Sequence, residues 1–386
     1  MRQLRERMVD RLTAGAGIST RVAGALRAVP RHLFLPGLEP SEVYRDEPII
    51  TKRDELGIPI SSSSQPAIMA AMLDQLDVAP GHRVLEIGAG TGYNAALLSL
   101  LAGPRGAVVT VDIDPDLVRQ AREHLAAAGH PDVRVECGDG AAGFPGAAPY
   151  DRIIATVGVW DLEPAWAAQL APGGRFVGPL DLRGVQVSAA LERRPGRWES
   201  VSVVPAGFMR MRGTAAGPER IRPITEGLML FLPEHREVGD LWPALSGRPV
   251  ADVPTDVRAA RGEISVGFGL WLATHEPFWC TFTGEPRLLP PAPVNAPGMR
   301  MTQGVAEDGS LALLTADLSA LGFGPRGAEL AHRLAAHVTA WHEAGRPGAE
   351  GLRIQAWDLP LTTRPPAGAT VIDKRATRLV IGYREA

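Results

Sequence analysis

The pattern of apolar and polar positions changes character twice along the chain. Residues 1–36 carry helical spacing, with Ser19-Thr20 placed to cap a helix over Arg21 to Val29 and with Pro30 and Pro36 bracketing the turn that follows. Residues 37–65 are polar and loop-like and end in Ser61-Ser62-Ser63-Ser64-Gln65. Pro66 then opens an apolar helix at a position where the missing N–H is harmless. From Arg83 the pattern alternates strictly. Strand Arg83 to Ile87 meets a turn at Gly88-Ala89-Gly90-Thr91-Gly92, then a helix from Tyr93 to Leu101, a strand from Ala107 to Val111 and a helix from Pro115 to Ala128. Strands Val133 to Glu136 and Tyr150 to Thr156 follow, then a helix from Glu163 to Leu170, a turn at Pro172-Gly173-Gly174 and a strand from Arg175 to Gly178. Repeating βα units of this length predict a Rossmann-like α/β fold, a parallel sheet covered by helices on both faces. Val185 to Glu192 and Trp198 to Val204, joined by Arg193-Arg194-Pro195-Gly196, predict an antiparallel hairpin that ends the sheet.

After Gly213 the pattern weakens. Prolines and glycines are dense, one amphipathic helix is predicted over Gly327 to Glu343, and strand-like runs cover Gly351 to Trp357 and Thr377 to Gly382. The expected organisation is a first domain over residues 1–213, with a helical lead over 1–66, and a smaller C-terminal α+β domain over 214–386. Trp271, Trp279, Trp341 and Trp357 are expected in the second core. His332, His337 and His342 recur every five residues, so they share no helix face well enough to hold a metal.

Composition narrows the function classes. A net charge of −3 gives no global reason to bind nucleic acid or an anionic membrane. Two distant cysteines, Cys137 and Cys280, exclude a disulfide framework and a Cys/His zinc site and fit a reducing cytoplasm. No stretch approaches the roughly 20 apolar residues of a membrane span. Of the 40 basic residues only Lys52 and Lys374 are lysine, a bias that carries little functional weight.

The turn after the first alternating strand carries the chemistry. Its glycines let the backbone reverse sharply and approach a ligand at the carboxyl end of a strand, where doubly wound sheets bind cofactors. A dinucleotide fingerprint places its third glycine three residues after the second; here Gly92 comes two after Gly90, and Tyr93 stands in the expected place. Glu86 precedes the turn and suits a cationic ligand better than a pyrophosphate. Asp112, followed by Ile113, ends the second strand where ribose hydroxyls would be held, and Asp139-Gly140 ends the third near the expected adenine. Acids at three successive strand ends select S-adenosylmethionine, which carries a sulfonium and an ammonium and no phosphate. The cofactor-binding set is therefore Glu86, Gly88, Ala89, Gly90, Gly92, Asp112, Ile113, Asp139 and Gly140.

These strings also carry a family resemblance. Ser64-Gln65-Pro66, Val84 to Tyr93, Gly138-Asp139-Gly140, Ala148 to Ile154 and Gln169 to Arg175, with Val29-Pro30-Arg31 and Tyr44-Arg45-Asp46, resemble protein-L-isoaspartate O-methyltransferases over residues 1 to about 210. The resemblance implies a class I S-adenosylmethionine methyltransferase that transfers methyl to a carboxylate oxygen. That oxygen is already ionised at neutral pH, so the reaction needs placement and desolvation more than a strong base. The family's serine before the (Gln/Ala)-Pro dipeptide maps onto Ser64 as the catalytic residue; the competing role is the N-cap of the helix from Pro66. Substrate contacts are expected from Ser61, Ser62 and Ser63. Lys52 and Arg53 could clamp a carboxylate, although exposed loop cations are more often solvated, and Thr156 lines the crevice or merely ends its strand.

Family members usually have a Gly-Gln-Thr-Ile-Ser type loop where this chain has Gly57-Ile58-Pro59-Ile60-Ser61-Ser62-Ser63-Ser64. That departure and the residues beyond 213 resemble the C-terminally extended members that accompany ribosomal peptide natural products, including lanthipeptides and ATP-grasp-crosslinked peptides. That likeness implies methylation of one aspartate in a precursor peptide, closing to aspartimide and in some cases opening to isoaspartate, with the extra domain gripping the peptide. General isoaspartate repair is the alternative, and a catalytically inactive peptide-binding scaffold is a third.

Overall fold

The computed structural model describes residues 1–55, 57, 59–218, 220–260, 262–296, 298–361 and 370–383. Ile58 of the rewritten loop lies outside the described residues. Two compact units emerge, the first made of Met1–Asp181, Gln186–Gly217 and Arg353–Val380, the second of Leu182–Val185, Pro218–Leu352 and Ile381–Ala386.

The first unit opens with helices α1 (Arg2–Ala16), α2 (Thr20–Ala28) and α3 (Pro40–Val43). Ser19 caps α2 by accepting from the Val22 amide at 3.2 Å. The segment expected to be loop contains an antiparallel hairpin, β1 (Ile49–Arg53) and β2 (Pro59–Ser63). Its serines and charged residues give no apolar alternation, so no strand signal is present. Helix α4 (Pro66–Leu76) follows, then β3 (Arg83–Ile87), α5 (Tyr93–Ala102), β4 (Ala107–Asp112), α6 (Pro115–Ala127), β5 (Arg134–Cys137), β6 (Tyr150–Ala155), α7 (Pro164–Gln169) and β7 (Leu170–Leu182). Pro172-Gly173-Gly174 falls inside β7, where the register against β6 shifts, instead of forming a separate turn.

Strands β8 (Val185–Arg194) and β9 (Arg197–Pro205) form the expected hairpin, but the sheet does not end there. Strand Leu352–Asp358 pairs antiparallel with β9, and strands Thr377–Tyr383 and Thr370–Asp373 lie beyond it. The sheet order, given by first residue, is 370-377-352-197-185-170-150-83-107-134, ten strands in all. The division at residue 213 is thus corrected: the chain leaves the first unit after Gly217, and Arg353–Val380 returns to it. Arg193 of β8 pairs with Asp358, and the Ile354 amide donates to Ser200 Oγ of β9 at 2.9 Å, so the hairpin gains partners more than 150 residues away. Trp357 belongs to this returning strand and to the first unit, not to the second core.

The second unit is an antiparallel sheet of eight strands on which helix Gly327–Glu343 buries Leu330, Leu334, Val338 and Trp341. Trp279 is buried in it as expected. His337 accepts from Trp271 Nε1 at 3.3 Å and faces Glu276 at 3.1 Å, a packing role, and the described residues hold no cluster that could bind a metal. No described helix is long and apolar enough to cross a membrane.

Candidate active site

At the carboxyl end of β3 the chain turns through Gly88 (φ 102°), Gly90 (φ 50°) and Gly92 (φ 86°), a conformation that residues with a Cβ rarely adopt. A Cβ on Gly88 would meet Thr156 Oγ1 at 2.8 Å, and one on Gly92 would press on Leu125 and Ala121 of α6. Gly88 therefore lets β6 close against the turn, and Gly92 lets α5 pack on α6. Thr156 closes the arrangement by donating from Oγ1 to the Gly88 carbonyl at 2.7 Å.

A cavity opens over this turn. Glu86, Gly88, Ala89, Gly90, Asp112, Ile113, Gly140 and Thr156 line it from the sheet side, and Ser61, Ser62, Ser63 and Ser64 line it from the hairpin. Glu86 is fully buried and accepts from Asn94 Nδ2 at 2.7 Å and Thr110 Oγ1 at 2.6 Å. Burial pushes its carboxyl up to about 7, against the pull of those two donors, and the nearby Asp112 adds to the rise. Asp112 accepts from the Gly90 amide at 3.0 Å and the Asp114 amide at 3.1 Å, which ties the glycine turn to the start of α6.

Three expected residues sit elsewhere. Gly92 caps α5 and does not border the cavity. Asp139 turns aside to accept from the Ala141 amide and from both the amide and hydroxyl of Thr214, each of the latter at 2.7 Å. Burial raises its carboxyl, but these hydrogen bonds outweigh that and hold it below its ordinary value. Arg53 donates to the Gly57 carbonyl of its own loop at 2.8 Å.

Lys52 is only partly exposed and is paired with carboxylates. Its Nζ lies 2.8 Å from both oxygens of Asp114 and 3.0 Å from Asp116, and these carboxylates raise its pKa. Asp114 meanwhile N-caps α6 by accepting from Asp116 and Leu117 amides. The lysine thus pins the serine hairpin to the start of α6, and its charge is already matched before any substrate carboxylate arrives.

Ser64 does not cap α4. That duty falls to Asp46, which accepts from the Ala67 amide at 2.8 Å and from Gln65 Nε2 at 3.0 Å. Among the described residues the Ser64 hydroxyl has no hydrogen-bond partner, so it stays available to the cavity. Ser63, expected to touch substrate, is joined there by Tyr93, which sequence reasoning missed as a site residue. Ser63 Oγ and Tyr93 Oη are buried on the cavity wall without a partner among the described residues. Unsatisfied buried hydroxyls are costly unless a ligand meets them, so together with the Glu86–Asp112 pair they suit a polar, cationic ligand.

The family described as protein-L-isoaspartate(D-aspartate) O-methyltransferase matches residues 3–211, more than half of the chain. The chain belongs to that family. Its similarity to the protein-L-isoaspartate O-methyltransferase of Methanopyrus kandleri is 42% identity over 187 residues, covering 48% of this chain and 80% of the relative. The corresponding enzyme of Methanoculleus marisnigri is 38% identical over 223 residues, covering 58% of this chain and 97% of the relative. A solved protein-L-isoaspartate O-methyltransferase structure is 25% identical with a TM-score of 0.53, covering 91% of this chain and 96% of that one. The family's fold is that of a class I methyltransferase and its cofactor is S-adenosylmethionine, a group that the residues around the cavity fit. The second unit is no peculiarity of this chain, because the solved structure matches nearly its whole length.

Proposed function

We propose that the chain esterifies isoaspartyl carboxylates in proteins and peptides, with Ser64 as the residue that fixes the carboxylate. The observation that carries this reading is the division of labour at α4, where Asp46 caps the helix and leaves the Ser64 hydroxyl facing the cavity. Held by the residues lining the cavity, S-adenosylmethionine would supply an electrophilic methyl group for transfer from its sulfonium sulfur to the carboxylate oxygen, giving a methyl ester and S-adenosylhomocysteine. The chain's own residues do the rest. Ser64 donates a hydrogen bond that orients the carboxylate without taking its charge, and Ser61, Ser62 and Ser63 line its approach. Glu86 and Asp112 provide negative charge at the sheet end, and the hairpin pinned by Lys52 excludes water.

A second reading, methylation of one aspartate in a ribosomal precursor peptide, rests on the rewritten loop ending in Ser61-Ser62-Ser63-Ser64. The extra length no longer favours it, since an enzyme named only for isoaspartate shares that length. Mass spectrometry with S-adenosylmethionine and three peptides tests both: an isoaspartyl peptide, its aspartyl twin and a crosslinked precursor peptide. A gain of one methyl on the isoaspartyl peptide alone is expected. Methylation of the precursor with the isoaspartyl peptide untouched would replace the first reading by the second.

A further inference from the structure

The returning segment makes its contacts where the cofactor cavity is braced from behind. Lys374, Arg375, Ala376 and Thr377, which lead from strand Thr370–Asp373 into strand Thr377–Tyr383, hold three separate parts of the first unit. Lys374 Nζ donates to Asp181 at the end of β7, at 3.0 Å to its carbonyl and 3.2 Å to its carboxylate. Arg375 donates to the Thr214 carbonyl at 2.8 Å and to Glu163 Oε1 at 2.5 Å. The Ala376 amide and Thr377 hydroxyl donate to the buried carboxylate of Asp161 at 2.5 and 2.6 Å.

The bonds of Arg375, Ala376 and Thr377 fall on two stretches, residues 156–163 and 208–217, and both reach the cavity. Thr156 and Val157 line it from the first, and Met209, Arg210, Met211 and Arg212 from the second. The stretches are also joined to each other, because the Gly158 amide donates to Met209 and the Met211 amide donates to Gly158. Thr214, whose carbonyl Arg375 holds, is the residue whose amide and hydroxyl hold Asp139. Asp139 directly precedes Gly140, a cavity residue whose carbonyl also accepts from Trp166 Nε1 at 2.9 Å. A Cβ on Gly213 would collide with the Asp139 carboxylate at 2.7 Å, so Thr214 reaches Asp139 only through a glycine at that point.

We infer that Arg375 is a positioning residue for the cofactor site, acting through Thr214 on the Asp139–Gly140 wall, with Asp161 anchoring the turn that carries it. Residues 374–377 lie beyond the part of the chain that matches the family, so the cofactor site is completed by sequence outside residues 3–211. The inference rests on the assignment of the cavity to S-adenosylmethionine.

The test uses the full chain and titration calorimetry with S-adenosylhomocysteine, followed by kinetics with an isoaspartyl peptide. Arg375→Ala is expected to raise the Kd for S-adenosylhomocysteine and the KM for S-adenosylmethionine by about fivefold, with kcat and the peptide KM changed by less than about twofold. Arg375→Lys, which can meet one acceptor at a time, is expected to fall between. Thr214→Val, which removes the hydroxyl from Asp139 but keeps the amide, is expected to raise the same two constants by about threefold. Unchanged cofactor constants in Arg375→Ala and Thr214→Val, or an equal loss across both substrates, would overturn the inference. If the unmodified chain failed to bind S-adenosylhomocysteine, the cofactor assignment itself would fall.

Discussion

The sheet side of the cavity and its hairpin side are held by different physics. On the sheet side Glu86, Gly88, Gly90 and Asp112 sit at the ends of adjacent parallel strands, and the ladder between β3 and β4 fixes their spacing from Arg83 opposite Ala107 to Ile87 opposite Val111. Their hydrogen bonds are buried or partly buried, as between Glu86 and Asn94 or Asp112 and the Gly90 amide. The hairpin side has a separate two-stranded sheet and depends on polar contacts, Lys52 with Asp114 and Asp116, Asp46 with Gln65 and Ala67, and Thr51 with Ser61. A strand-built half, which we propose binds the cofactor, thus faces a half whose polar tethers can be loosened one at a time, and the two should fail differently.

The largest break is expected on the strand-built half. Asp112→Ala removes a carboxylate that two backbone amides share, and charged hydrogen bonds of this kind contribute enough that cofactor affinity should fall on the order of a hundredfold, read by S-adenosylhomocysteine titration. Glu86 offers a pH test of the same half. Its carboxyl is raised from 4.5 to about 7 by burial, so the unfolded chain gives up that proton first. The contribution of Glu86 to stability is therefore whole below about pH 4.5 and is lost as pH rises through about 7, at most roughly 3 kcal/mol. Glu86→Gln should flatten the decline in ligand-free stability between pH 5 and 8, measured by urea unfolding, and should weaken S-adenosylmethionine binding above pH 7. A steeper decline in the variant would refute the assignment.

On the hairpin half the effects should be smaller and fall on turnover. Ser64→Ala is expected to lower kcat about tenfold while leaving the Kd for S-adenosylhomocysteine unchanged. A loss of helix stability without a loss of turnover would show that Ser64 is a cap after all. Lys52→Ala should raise the peptide KM by about threefold, an effect that shrinks as salt is added, because the pair is partly exposed. A larger effect on cofactor than on peptide would erase the distinction between the two halves.

The same difference governs what could be read from the chain. Strand β3, its glycine turn and helix α5 are consecutive residues with strong local signals, so Glu86, Gly88, Gly90 and Asp112 were legible together with their neighbourhood. Ser64 was legible only as a position in a motif; the competition for the α4 cap was resolved by Asp46, twenty residues earlier and without a local pattern to announce it. Lys52 read as a solvated cation because its partners lie 62 and 64 residues away. Ser63 was legible as part of the serine run expected to touch substrate, but that its hydroxyl and that of Tyr93 are buried without a partner among the described residues is a property of packing, which no local pattern announces. The strand-like runs near residues 351–357 and 377–382 were visible, but their pairing was not. Period-two alternation states that a strand exists and says nothing about which sheet receives it, and here the receiving edge is β9.

The central claim, that this cavity esterifies isoaspartyl carboxylates, is tested most directly by the ratio of kcat/KM for an isoaspartyl peptide to that for its aspartyl twin. The two differ only in which carboxylate hangs free, so non-specific peptide affinity cancels. The account predicts a ratio of at least about one hundred in favour of the isoaspartyl peptide, the scale that a site shaped for one isomer can reach. A ratio near one, or one that favours the aspartyl twin, would contradict it.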